Sequence, residues 1–178
     1  MMSRLSFDYV PSDKTKNIFS TVEKSMGGVI NIFKLMGNSP QALEGYMAFS
    51  GALAQGTLSP AEREHVALAV AGFNECDYCG SAHAFLGSKQ GISSEEIQRN
   101  FKGKSSQESI QQLLSFCYKV LENNGHVSDD DLSQIRAAGY NDEKIVEIVA
   151  TIVINIFTNY FNNVAQTPID FPKVNRRE

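Results

Sequence analysis

The fold is decided by residues 58–83, Leu58-Ser59-Pro60-Ala61-Glu62-Arg63-Glu64-His65-Val66-Ala67-Leu68-Ala69-Val70-Ala71-Gly72-Phe73-Asn74-Glu75-Cys76-Asp77-Tyr78-Cys79-Gly80-Ser81-Ala82-His83. Ser59 followed by Glu62 is a capping box, and Pro60 sits at the first helical position, where its missing N–H costs nothing. The helix it opens is expected to reach about Phe73, loosened at its end by Gly72 and Asn74. The chain then resumes as a helix from about Cys76 to Gln90, with Gly91 as its stop.

The same punctuation continues on both sides. Ser39-Pro40 predicts a helix over residues 41–55. Ser93 with Glu96 predicts a short helix. Residues 101–106, with Gly103 and two serines, read as a loop. Ser105 with Glu108 is expected to cap the next helix, which ends near Gly125. Ser128 opens residues 129–138, closed by Gly139, and Asn141 caps a long helix to about Val164. The β-branched run at 145–156 has an acidic start and is too long for a typical buried strand. With no Asn-Gly hairpin signal between alternating segments, the predicted class is all-α.

The 178 residues fit one domain with a helical extension. The expected division is an N-terminal helical extension (1–38), a main domain (39–170) and a C-terminal tail (171–178). Composition is that of a globular protein, 42% hydrophobic and 20% charged, with net charge −4. No basic stripe points to nucleic acid. The longest apolar stretch, 145–157, carries Glu147 and Asn155 and is short for a membrane span. The start, MMSRLSFDYV, has no apolar signal region, so a cytoplasmic location is expected. Three cysteines in such a chain argue for reduced thiols with a chemical role rather than a disulfide scaffold.

Cys76 and Cys79 form C-x-x-C, and His83 follows four residues on, on the same helical face. A helix N-terminus favours thiolate, the reactive form. His83 can take or return a proton beside Cys79. A redox pair is the leading reading, with inert thiols and a metal site as the alternatives. Against metal, a regular helix separates Cys76 and His83 by roughly 10 Å of axial rise, while zinc ligands lie roughly 2.0–2.3 Å from the ion. Iron–sulfur clusters want four cysteines, and covalent haem wants His directly after the second cysteine, where Gly80 stands. No metal and no cofactor are expected. Glu64, twelve residues before Cys76, could face the cysteine helix across a helical hairpin, or be a solvated first-turn acid. His65 is expected at the surface or rim. Cys117 belongs to the stripe Ile110, Leu113, Leu114, Cys117, Leu121 and reads as a buried structural thiol.

Glu64, Cys76, Cys79 and His83, in the spacing E-x11-C-x2-C-x3-H, resemble the AhpD-like, peroxidase-related branch of the carboxymuconolactone decarboxylase family. Gln55-Gly56-Thr57-Leu58, Ala138-Gly139-Tyr140 and the segment from Ile148 to Asn163 extend the similarity over roughly residues 40–170. The resemblance implies an all-α fold, assembly into trimers or hexamers, and reduction of alkyl hydroperoxides or disulfides through the cysteine pair. It implies Cys79 as the peroxide-attacking thiolate, Cys76 as the resolving cysteine, and Glu64 with His83 as a proton relay. A dithiol of the thioredoxin or lipoamide type would be the reductant. Some members carry a second His between the cysteines, where this chain has Tyr78. A phenol titrates too high to act as the same base, though it can donate a hydrogen bond.

Three functions follow for comparison. The first is a thiol-dependent hydroperoxide reductase in antioxidant defence. The second is a disulfide-exchange adaptor or redox sensor with little turnover. The third is a cofactor-free lactone decarboxylase, against which the intact cysteine pair argues. A homo-oligomer is expected because the helix over 145–161 is apolar on more than one face.

Overall fold

The computed structural model describes residues 3–176; residues 1, 2, 177 and 178 of the two expected terminal segments lie outside the described residues. Among the described residues there are helices and no strands. Three helices come first: α1 (Asp13–Met26), α2 (Asn31–Met36) and α3 (Pro40–Leu53). They are followed by α4 (Pro60–Phe73), α5 (Asp77–Lys89), α6 (Ser94–Asn100), α7 (Glu108–Glu122), α8 (Asp129–Ala137) and α9 (Asp142–Ala165).

Helix α4 is the axis of the molecule. Its capping box forms as the sequence predicts, with Ser59 Oγ accepting from Glu62 N–H and Glu62 accepting from Ser59 N–H. Every residue from His65 to Ala71 is buried, because α5, α6, α7 and α9 all pack on it. Gly72 makes this closeness possible, since a Cβ there would meet the backbone oxygen of Phe101 at 2.0 Å. His65 corrects the surface expectation: it is buried, and its Nδ1 lies 2.6 Å from Asn100 Oδ1. Asn100 in turn donates to Glu96 and to the carbonyl of Lys104.

The caps at Ser39, Ser93, Ser128 and Asn141 all form. The expected cap at Ser105 does not. Both Ser105 and Ser106 donate their hydroxyls to the Glu96 carboxylate, so α7 starts from Gln107 with no side-chain cap. Cys117 is buried in the main core with Leu113, Leu114, Val66, Val70, Ile148 and Ile152. A second cluster joins α1, α2 and α3 to the start of α5 through Val22, Phe33, Leu43, Tyr78 and Cys79. Helix α9 has the length and hydropathy of a membrane span, yet it packs along α3, α4, α5 and α7 as a core helix.

Candidate active site

The site forms where α4 hands the chain to α5. Glu75 adopts a left-handed φ of 52°, and Cys76 N–H donates back to Ala71 O, turning the chain sharply into the next helix. Cys76 lies at the N-terminus of the helix, as the sequence suggests, where it is the N-cap of α5. Its Sγ accepts from Cys79 N–H at 3.2 Å, as a serine oxygen would at that position. A negative charge on that sulfur would face the positive end of the helix.

Cys76 and Cys79 are joined as a disulfide, with Cα atoms 5.3 Å apart. Both are buried. One turn on, His83 Nδ1 lies 2.8 Å from Glu64 Oε2 of α4. The structure therefore places the cysteine pair at the α4–α5 turn and brings Glu64 and His83 together between the two helices. Cys79 and His83 line a common cavity of about 270 Å³. Its walls are mostly apolar, with Phe33, Tyr46, Met47, Leu86 and Phe171 among them. Glu64 and His83 also line a smaller recess of about 130 Å³ between α3 and α9. His83 thus joins the sulfur side to the carboxylate side. Among the described residues, no group of three His, Cys, Asp or Glu side chains is placed to hold a metal ion.

Tyr78, between the cysteines, lines the same cavity as Cys79, but its hydroxyl is engaged elsewhere. Its hydroxyl donates to Asp170 Oδ1 at 2.8 Å and accepts from Ile32 N–H at 3.4 Å. Burial, and then the Asp170 carboxylate, push the phenol far above its ordinary range. The tail holds α5 at two further points. Arg176 donates through Nε and a terminal nitrogen to Asp77 Oδ1 at 2.9 and 2.6 Å. It lies across Gly80, where a Cβ would meet its Cδ at 2.7 Å. Ser81 Oγ accepts from Val174 N–H at 3.3 Å.

One partner of the cysteines escaped the sequence reading. Asn162 of α9 is buried, and its Nδ2 donates to Cys79 Sγ at 3.2 Å. A signal for it exists in the sequence. Thr151, Asn155, Thr158, Asn159 and Asn162 recur at helical spacing inside an otherwise apolar helix, and all are buried. A polar stripe on the buried face of a core helix marks something to be contacted there.

Residues 40–104, the segment that contains all four motif residues, match the model of the carboxymuconolactone decarboxylase family. Over that segment the chain is similar to the carboxymuconolactone decarboxylase family. No curated protein sequence matches it. Solved structures share its fold at low identity. The alkylhydroperoxidase AhpD core protein of Ralstonia eutropha JMP134, a peroxidase-related protein, superposes with TM-score 0.87 at 22% identity, covering 96% of this chain and 93% of that one. A peroxidase-related protein of Silicibacter sp. TM1040 gives TM-score 0.81 at 21% identity, over 93% and 89% of the two chains. The debrominase Bmp8, in complex with 2,3,4-tribromopyrrole, gives 0.74 at 17% identity, over 89% and 86%. The chain therefore has the AhpD-like all-helical fold, with the cysteine pair at the start of a helix.

Proposed function

We propose that this protein is a thiol-dependent hydroperoxide reductase. The observation that supports this reading is a closed Cys76–Cys79 disulfide whose Cys79 shares a cavity with His83, itself held by Glu64. In the reduced state, the Cys79 thiolate attacks the terminal oxygen of a hydroperoxide. The O–O bond breaks, Cys79 becomes a sulfenic acid, and the alkoxide leaves. With Nδ1 engaged by Glu64, Nε2 of His83 is the ring nitrogen left to protonate that alkoxide. The Cys76 thiol then condenses with the sulfenic acid, releasing water and forming the disulfide. A dithiol donor reduces the pair by exchange. Cys79 is assigned the attack because it lines the cavity, while Cys76 lies behind it at the N-cap.

The test is steady-state turnover of cumene hydroperoxide and hydrogen peroxide with excess dihydrolipoamide or thioredoxin. Cys79→Ser should abolish turnover, and Cys76→Ser should accumulate a sulfenic acid that dimedone labels. Glu64→Gln should slow turnover by about 100-fold, the lower end of what a positioned acid–base group contributes. Fast disulfide exchange without peroxide turnover would establish the adaptor reading instead.

A second reading rests on the aromatic lining of the cavity and on the debrominase that shares the fold. The same dithiol could replace bromine on an electron-rich ring by hydrogen, releasing bromide and a proton as the pair closes to the disulfide. Bromide release from 2,3,4-tribromopyrrole under the same conditions tests it directly.

A further inference from the structure

At the start of α5 the N-cap sulfur already takes a backbone donor of the first turn. Cys79 N–H is donated to Cys76 Sγ at 3.2 Å. The sulfur assigned to attack therefore draws on a donor from outside its own helix. That donor is Asn162 of α9, at 3.2 Å from Cys79 Sγ. The other end of the same amide is unusual. Asn162 Oδ1 is buried and has no hydrogen-bond partner among the described residues. A buried acceptor left unpaired is a standing cost unless some state of the molecule satisfies it.

We propose that Asn162 is a catalytic residue that serves two successive states of Cys79. Its Nδ2–H group donates to the thiolate, and its Oδ1 accepts from the hydroxyl of the sulfenic acid formed on the same sulfur. This rests on the hydroperoxide reductase reading and deepens it. The first half follows from charge, because a hydrogen bond to an ionised acceptor is roughly twice as strong as one to a neutral one. Oxidation and reduction of Cys79 thus change the strength of a contact that the fold keeps fixed. The second half follows from reach. A sulfenic hydroxyl is carried on Sγ itself, beside the amide, so its O–H is the donor that the orphaned oxygen lacks. The hydroxyl is lost again as water when Cys76 closes the disulfide.

The thiolate effect is separable from other charges in the site. The titratable groups around Cys79 are Cys76, Tyr78 and His83 of α5, Glu64 of α4 behind His83, and Tyr46 of α3. The tail adds Asp170, engaged with Tyr78, and Arg176, engaged with Asp77. Helices α1 and α2 bring no titratable side chain to the cavity, and α9 brings Thr158 and Asn162. None of these is altered by a change at Asn162.

The experiment uses the full chain in a Cys76→Ser background, so that Cys79 is the one thiol left at this site. Thiolate absorbance at 240 nm and iodoacetamide alkylation are followed against pH, with and without Asn162→Leu. Loss of the donor should raise the Cys79 thiol pKa by about one pH unit, a tenfold loss of thiolate at a fixed pH below it. After a single hydroperoxide pulse, the sulfenic acid should also be shorter-lived and over-oxidise faster in the Asn162→Leu protein. Asn162→Ala is the second variant. If neither folds, the Asn162 side-chain amide resonance in the Cys76→Ser protein alone decides. It should shift with the same midpoint as the thiolate absorbance. An unchanged thiol pKa in either folded variant, or an amide resonance indifferent to that midpoint, overturns the thiolate role. An unchanged sulfenic acid lifetime overturns the Oδ1 role. Wild-type protein that turns over no hydroperoxide would instead remove the parent reading, leaving the thiolate pKa comparison to be judged by itself.

Discussion

Tyr78 stands between two redox cysteines, yet its hydroxyl serves the tail. It donates to Asp170, which also accepts from Asn31 N–H at 2.7 Å, so one carboxylate ties α5, α2 and the C-terminal segment together. The ring completes the tie edge-on against Phe171, 5.8 Å between centroids. Tyr78→Phe keeps the ring and removes the hydroxyl. It should lower stability by about 0.5–1.5 kcal/mol, the net worth of one hydrogen bond, while leaving peroxide turnover within about twofold, since no proton passes through a phenol so strongly held. Urea unfolding and the steady-state assay read the two effects separately. A large fall in turnover at unchanged stability would show that the tyrosine hydroxyl takes part in the chemistry after all. The contrast with His83 is instructive. Its partner Glu64 sits one helix away in a fixed register of α4 against α5, which the motif spacing already encodes. Asp170, the partner of Tyr78, is 92 residues distant, and nothing local announces it.

Helix ends follow the same rule of locality. Ser59, Ser93, Ser128 and Asn141 cap as the sequence predicts because donor and acceptor lie within one turn of each other. Ser105 fails because Glu96, on a separate helix, claims the hydroxyl first. His65 and Asn162 were unreadable in kind: their partners are tertiary, and only the polar stripe along α9 hinted at the second. The α3–α4 connection shows the same tertiary control. The Glu147 carboxylate of α9 accepts from Thr57 N–H and Leu58 N–H, each at 2.9 Å, and so anchors the turn that delivers α4. Gly56 lets the carboxylate approach this closely, since a Cβ there would meet it at 2.6 Å and push it aside. Burial pushes the Glu147 carboxyl up, but the donors of Thr57 and Leu58 outweigh it and hold the group below its ordinary value of 4.5. A folded value below the unfolded one means that the stabilisation is complete above about pH 4.5 and is lost as pH falls through the folded value. Glu147→Ala hands the exposed Thr57 amide to water and deprives the part-buried Leu58 amide of its acceptor, and should cost about 0.5–1.5 kcal/mol at pH 7. The gap to wild type should narrow in acid. A gap that stayed constant from pH 7 to about pH 3 would mean that the carboxylate charge contributes nothing.

At the scale of the whole molecule, α9 presents two unlike faces. One carries Thr151, Asn155, Thr158, Asn159 and Asn162 into the interior toward α4 and α5. The other carries Val146, Val149, Val153, Phe157, Tyr160 and Val164, all exposed, with Val146 at 69% and Val164 at 65%. These span 19 residues, about 27 Å of helix, as one apolar stripe. Single exposed apolar residues are ordinary on a protein surface, but a continuous stripe along a core helix is the mark of a contact surface. We propose that a further copy of this chain covers it. The position matters to the chemistry, because Phe157 stacks near Tyr46, 6.4 Å between centroids, and Tyr46 lines the Cys79 cavity. A partner seated on α9 would therefore press on one wall of the pocket and shield it from water, which strengthens every electrostatic interaction inside. Sedimentation should give a mass that is a multiple of 19.6 kDa for the wild-type protein. Val153→Lys, which places a charge in the middle of the stripe, should dissociate the assembly with helical content unchanged, and should lower hydroperoxide turnover in step with dissociation on dilution. A wild-type protein that sediments as a single chain would leave the stripe without its partner and would confine the active site to one protomer.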